Sequence, residues 1–136
     1  MSHAVLKKLQ LFIAEDSELM CSRLVQILSE IDDVEIMGVA FNASDAFHYI
    51  RKTCPDVAIL DICMPDGNGI DILKKIRECE YSTKVIMFTY YPYPQYKKRC
   101  IQWGADYFFD IYTEFEQMLQ VVKGLARLRH EEMNPD

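Results

Sequence analysis

The sequence predicts an α/β domain: a parallel sheet covered by helices on both faces. Three observations carry that prediction. Short apolar runs alternate with helical periodicity five times along the chain. Two of those runs, Val57–Leu60 and Val85–Phe88, are apolar at every position, as strands buried on both faces are. No repeat, low-complexity tract or Pro/Gly/Ser linker divides the 136 residues, about one domain's length. Regular β-α alternation implies right-handed crossovers and two helical layers around the sheet.

The elements follow in order. Leu9–Ala14 reads as the first strand. Ser17 is a candidate N-cap with Glu18 in the first turn, and Leu24, Ile27, Leu28 and Ile31 form one apolar helix stripe,. Val34–Ala40 is a second strand, and Asn42 or Ser44 caps a helix carrying Ala43, Ala46, Phe47 and Ile50. Val57–Leu60 is the third strand. After a Pro/Gly-rich turn, Ile72, Leu73 and Ile76 mark the third helix, and Val85–Phe88 is the fourth strand. Between Tyr90 and Trp103 the pattern weakens: two prolines precede a helix around Tyr96, Cys100 and Ile101, which Gly104 ends,. Asp106–Phe109 is the fifth strand. The last helix carries Phe115, Met118, Leu119, Val122 and Leu125 on one stripe, with Lys123, Arg127 and Arg129 toward its C-terminus,. One domain over 1–136 is expected, its core at about 9–130 and the tail beyond His130 frayed.

Composition narrows the function classes. Half the residues are hydrophobic, 26% are charged and the net charge is −6, a balance that argues against direct nucleic-acid or anionic-membrane binding. Five cysteines, an odd number with no CxxC pair, suit a reduced cytoplasmic protein whose thiols are mostly apolar fillers,. No apolar run approaches a membrane span, and the start, MSHAVLKK, lacks an apolar signal core,.

In folds of this class, sites form beyond the carboxyl ends of the strands. Glu15 and Asp16 stand where the first strand stops, and Asp61 where the third stops. If those strands are neighbours, three carboxylates converge. Their mutual repulsion calls for a cation or for raised pKa values, and an all-oxygen donor set favours a hard ion such as Mg²⁺. Glu15-Asp16-Ser17-Glu18 alone is equally an acidic helix start favourable to the dipole. Asp61 is harder to read that way, because it ends an apolar strand and precedes Ile62-Cys63-Met64-Pro65-Asp66-Gly67-Asn68-Gly69.

Glu15-Asp16, Asp61 with Met64-Pro65 and Gly69, Thr89 ending the fourth strand, and Gly104-Ala105-Asp106-Tyr107 together resemble bacterial response-regulator receiver domains, of the chemotaxis-regulator-like kind. The resemblance spans roughly residues 9–128. It implies a flavodoxin-like three-layer fold with five helices and sheet order 2-1-3-4-5. It also implies a phosphoacceptor in two-component signalling rather than an enzyme acting on an outside substrate. By resemblance Asp61 is the phosphoacceptor, Asp16 and Glu15 bind Mg²⁺ directly or through water, and the Cys63 backbone carbonyl adds an oxygen. Thr89 hydrogen-bonds the phosphoryl group and Phe108 is the switch aromatic, although Phe108 also fits ordinary strand packing. The implied partners are a sensor histidine kinase or a histidine phosphotransfer protein, and a downstream target protein. His3, His48 and His130 lie away from the acidic cluster, so the donor phosphohistidine belongs to another protein.

Two positions depart from the family. The usual lysine, three residues past the switch aromatic, is Ile111, which offers neither charge nor donor. Tyr90 stands where a small residue usually lines the pocket; with Tyr91, Tyr93 and Tyr96 it narrows access, belongs to an aromatic docking face, or simply packs around the two prolines,. Lys97 or Lys98 is a candidate substitute cation. These departures support a rival reading, an interaction module of receiver architecture with weak or no phosphorylation. Other classes fit worse. A haloacid-dehalogenase-like phosphatase needs a second acid where Cys63 stands, the acidic first loop would repel a flavin phosphate, and no GxGxxG follows a strand,.

Overall fold

In the computed structural model, which describes residues 8–133, each apolar run is a strand and each periodic stretch a helix. The order is β1 (Leu9–Ala14), α1 (Glu18–Ser29), β2 (Val34–Ala40), α2 (Ala43–Thr53), β3 (Val57–Leu60), β4 (Cys63–Met64), β5 (Gly67–Asn68), α3 (Gly69–Glu78), β6 (Lys84–Thr89), α4 (Pro94–Gln102), β7 (Tyr107–Asp110) and α5 (Phe115–Met133). The main sheet is parallel with order β2-β1-β3-β6-β7. Counting its own five strands alone, this is the expected 2-1-3-4-5.

Alternation along the strands splits the core in two. Leu11, Ile13, Ile59, Ile86 and Phe88 face α1 and α5, meeting Leu24, Leu28, Met118 and Val122. Phe12, Leu60, Val85 and Met87 face the other way, toward Ala46 and Ile50 of α2, Leu73 and Ile76 of α3, and Cys100 of α4. Each fully buried aliphatic side chain contributes about 1.5–3 kcal/mol relative to exposure, so these two layers fix the strand register that positions the loops above.

Capping sets where the helices begin. Ser17 Oγ accepts from Met20 N–H at 3.2 Å. Asn42, rather than Ser44, caps α2, its Oδ1 accepting from Asp45 N–H at 2.8 Å. Asn68 does the same for α3 through Asp71 N–H at 2.9 Å. The indistinct Tyr90–Trp103 segment resolves into α4, which has Pro94 in its first turn, no side-chain cap and one buried residue, Cys100. Gly104 follows it at φ +86°.

Some expectations need correction. The Pro/Gly-rich turn after Asp61 is a two-residue hairpin, β4 against β5. Three of the five cysteines, Cys54, Cys63 and Cys79, are exposed, so only Cys21 and Cys100 are core fillers. In α5 the fully buried stripe is Met118, Val122 and Ala126, with Phe115, Leu119 and Leu125 half-buried beside it. That helix continues to Met133, three residues past His130. The MSHAVLK start, with His3, lies outside the described residues, as do 134–136.

Candidate functional site

Parallel register decides what meets at the carboxyl ends of the strands. Ala14 pairs with Leu60, and Leu60 with Met87, so Glu15 and Asp61, each one residue further on, leave the sheet side by side. The ladder runs into them: Asp61 N–H donates to the Ala14 carbonyl at 2.9 Å, and Glu15 N–H to the Ala40 carbonyl at 3.0 Å. Asp16, exposed, opens the loop to α1, and Ser17 N–H donates to Glu15 Oε1 at 3.1 Å. Glu15 and Asp61 therefore meet between β1 and β3, where the sheet order reverses, with Asp16 at the exposed rim rather than in a three-carboxylate cluster,.

Glu15 and Asp61 are 2% and 3% exposed. Burial, then the charge of Asp61, lifts the Glu15 carboxyl from its ordinary 4.5 to about 8, against the Ser17 N–H that favours the anion. Burial likewise raises Asp61 to about 6, opposed by the N–H groups of Cys63 and Ile62 and aided by the charge of Asp16. Among the described residues, no lysine or arginine forms an ion pair with the cluster. Lys97 and Lys98 lie exposed on α4 and do not reach it. Asp61 Oδ1 is buried without a hydrogen-bond partner, an expensive arrangement for a carboxylate.

The loop after Asp61 is held from two sides. Gly69 starts α3, its N–H donating to the Ile62 carbonyl at 2.8 Å. A side chain there would run into the Asp61 carbonyl oxygen, so only glycine lets α3 begin this close to the site. The Asp66 carboxylate accepts from Ala43 and Ser44 N–H at 2.6 and 3.1 Å, tying the loop to the start of α2. Those bonds also hold its pKa below the usual range. Ahead of both, Cys63 lies largely exposed in β4, its thiol pKa raised by partial desolvation and by the charges of Asp61 and Asp16. The clamp by Asp66 was invisible in sequence, because its partners lie more than twenty residues earlier.

Thr89 is fully buried at the end of β6, and its Oγ1 accepts from Tyr91 N–H at 3.0 Å. That leaves its own O–H free to donate. Phe108 is half-buried in β7, packed on the α2–α4 side of the core. Ile111 donates its N–H to the Thr89 carbonyl at 3.0 Å, and its side chain, 5% exposed, turns into the α1/α5 core. Tyr90 packs against that same core, its ring 5.3 Å from Tyr112. Burial first, then Glu15, Tyr112 and Asp61, raise its phenol pKa. Tyr91, Tyr93 and Tyr96 form a separate ring series, with centroids 6.3 and 5.7 Å apart. Tyr90 thus lies on the α1/α5 side of the sheet, apart from the ring series that leads into α4, of which Tyr91 and Tyr93 are exposed and Tyr96 half-buried.

Among the described residues, no three His, Cys, Asp or Glu side chains are gathered closely enough to hold a metal by themselves. Mg²⁺ does not require such a cage, since it commonly takes one or two carboxylates and fills its octahedron with water and phosphate oxygens. An unpartnered buried Asp61 oxygen, an exposed Asp16 beside it and the all-oxygen donor set fit that kind of ion. A groove of about 600 Å³ between α1 and α5, lined by Ile31, Asp33, Leu119 and His130, includes none of these acids in its lining.

Residues 11–123 match the family model described as the response regulator receiver domain. The chain is 35% identical over 97 residues to the uncharacterized transcriptional regulatory protein YvfU of Bacillus subtilis, covering 71% of this chain and 48% of that protein. It is 32% identical over 97 residues to the transcriptional regulatory protein DesR of the same organism, with the same coverages. It therefore spans about half the length of these relatives. Among solved structures it superposes on a LuxR-family DNA-binding response regulator from Staphylococcus aureus with TM-score 0.80 and 29% identity, over 86% of this chain and 98% of that one. A CheY-like receiver domain protein from Methanospirillum hungatei shares the fold, with TM-score 0.81 at 22% identity over 92% of this chain and 98% of that one.

Proposed function

The chain belongs to the response-regulator receiver family, and on that premise we propose that it accepts a phosphoryl group on Asp61 in a Mg²⁺-dependent phosphorelay. The observation that carries this reading is the Asp61 carboxylate: buried at the end of β3, with one oxygen unpartnered and, among the described residues, no ion pair to a cation. At neutral pH its raised pKa of about 6 still leaves it mostly ionised, as a nucleophile must be,.

The donor is a phosphohistidine on a sensor kinase or a phosphotransfer protein. An Asp61 oxygen forms the bond to phosphorus while the P–N bond of the donor breaks and its electron pair returns to the imidazole. Asp16, Glu15, Asp61 and the Cys63 carbonyl are the groups that would hold Mg²⁺, which when bound neutralises charge on the phosphoryl oxygens. The Thr89 hydroxyl donates to a phosphoryl oxygen, and Phe108, in β7 on the α4 side of the sheet, repacks in response. The change is read by a downstream protein on the α4 face, where Tyr91 and Tyr93 stand exposed beside Lys97 and Lys98. We place this exchange in the cytoplasm; no described helix is long and apolar enough to cross a membrane.

The relatives named as transcriptional regulators are about twice as long as the part matched here. The acidic balance of these 136 residues speaks against nucleic-acid binding by this domain and says nothing of domains joined to it. A second reading, docking with little or no phosphorylation, rests on the inward turn of Ile111. Intact-mass measurement separates the two. Acetyl phosphate with Mg²⁺ should add one phosphoryl mass to the protein and none to Asp61→Asn. No gain in the unsubstituted protein would establish the docking reading instead.

A further inference from the structure

The receiver reading leaves one chemical need unmet within the chain. A phosphorylated Asp61 carries extra negative charge into a buried site that already holds Glu15, and the position of the family's lysine is an isoleucine turned into the core. Register shows which side chain stands beside that position. Thr89 pairs with Asp110, and Ile111 N–H continues the ladder to the Thr89 carbonyl. Tyr90 is therefore in step with Ile111, each one residue past the last strand pair. Because side chains alternate along strands, Tyr90 also projects toward the α1/α5 side, as Phe88 does. Tyr112 sits against its ring at 5.3 Å and limits where that ring can lie. The phenol's charged neighbours are Glu15 and Asp61, which raise its pKa, and the Arg23 guanidinium, which opposes them more weakly. A neutral phenol keeps its proton at physiological pH and is a donor, which isoleucine is not.

We propose that the Tyr90 hydroxyl is the hydrogen-bond donor to the phosphoryl group on Asp61, standing in for the absent lysine. This deepens the phosphoacceptor reading and rests on it. A phenol offers one O–H where an ammonium offers three N–H donors and a full charge. The substitution therefore preserves recognition of the phosphoryl oxygens while giving up part of the electrostatic attraction. Tyr90 keeps its proton throughout. With acetyl phosphate as donor, the Asp61–phosphorus bond forms, the bond from phosphorus to the acetate oxygen breaks, and acetate leaves with the electron pair.

The test uses Tyr90→Phe, which keeps the ring and its contact with Tyr112 and removes only the hydroxyl. With acetyl phosphate and Mg²⁺, phosphoryl uptake measured by intact mass should slow by about three- to tenfold, the range that the net worth of one hydrogen bond implies. Ile111→Lys added to Tyr90→Phe should recover most of the loss, a rescue that a merely structural role for the tyrosine would not produce. Thermal melts of the variants check that each is folded under the assay conditions. Equal uptake by the unsubstituted protein and a folded Tyr90→Phe overturns this proposal and leaves the phosphoacceptor reading standing. No uptake by the unsubstituted protein overturns both.

Discussion

The two ends of the sheet treat their carboxylates in opposite ways. At the amino end, the aspartates before the strands are answered by the chain itself. Asp106, before β7, takes Arg77 at 2.8 Å and Lys84 at 3.8 Å. Asp56, before β3, takes Arg129 at 3.7 Å and the Gln10 N–H at 2.8 Å. Asp33, before β2, has the His130 imidazole 3.7 Å away. At the carboxyl end, Glu15 and Asp61 are more deeply buried and have no cation beside them among the described residues. An acid paired within the chain is spent on structure. A buried acid left unpaired costs stability and is held for a charge that comes from outside. The presence of acids does not mark a site; the absence of their partners does.

The largest test of that contrast is pH. Glu15 and Asp61 both bind a proton more tightly folded than unfolded, their pKa values rising from 4.5 to about 8 and from 3.8 to about 6. The resulting stabilisation is complete below the unfolded values and is lost as pH rises through the folded ones. Metal-free stability, from urea unfolding, should therefore fall by on the order of 6 kcal/mol between about pH 4 and pH 8. Glu15→Gln and Asp61→Asn should each flatten the profile. A level profile in the unsubstituted protein would show that burial at the carboxyl end does not raise these carboxyl pKa values.

At the amino end the corresponding test is Arg77→Ala. Arg77 donates to the carbonyls of Gly104, Tyr81 and Thr83 as well as to Asp106, joining the end of α3 to the turns before β6 and β7. Its loss should cost about 2 kcal/mol, given that hydrogen bonds to charged groups each contribute about 1.5–3 kcal/mol and this side chain is partly solvated. Phosphoryl uptake per folded molecule should not change. Reduced uptake at full folding would join the two ends functionally and break the contrast.

Mg²⁺ should act at one end only. Bound to the folded state alone, it should stabilise by about 1.4 kcal/mol at ten times its Kd, seen as a melting point higher by several degrees. Asp16→Asn should abolish the shift, and Arg77→Ala should retain it on a lower baseline. If Asp16→Asn responds as the unsubstituted protein does, the cation is not held at the acidic cluster.

The sequence made one end of the molecule far more readable than the other. Strands such as Val57–Leu60 are legible because burial on both faces leaves no polar position, and Ser17 and Asn42 because a cap is a local hydrogen bond. Glu15, Asp16 and Asp61 could be singled out because each stands just past an apolar run. The amino-end pairs could not be, since Arg77 and Asp106 are 29 residues apart and meet only through tertiary packing. The hairpin β4–β5 is too short for any periodicity. Helix α4 buries one residue and so writes almost no stripe. Tyr90 was visible as a departure, but which aromatic group it joined depended on the register between β6 and β7.

Ile111→Lys carries the smallest expected effect and the finest discrimination. The isoleucine is 5% exposed in the α1/α5 core, so a lysine there must lift its ammonium out along its apolar stem, as long cationic side chains do. Tyr90, in step with that position on the neighbouring strand, packs on the same α1/α5 side of the sheet. In the unsubstituted protein Tyr90 already supplies a donor, so the lysine adds charge to a bond already made. Phosphoryl uptake should therefore rise by less than about fivefold, under about 1 kcal/mol off the barrier, and melting should drop because apolar packing is lost. Rates from intact mass under identical Mg²⁺, with melting curves alongside, give both quantities. A gain of several tens of fold would mean that Tyr90 contributes nothing and that the missing lysine had left the carboxyl end without any donor of its kind. A gain of a few fold, with a larger one when Tyr90 is phenylalanine, would show that the site lost a charge but kept a hydrogen bond.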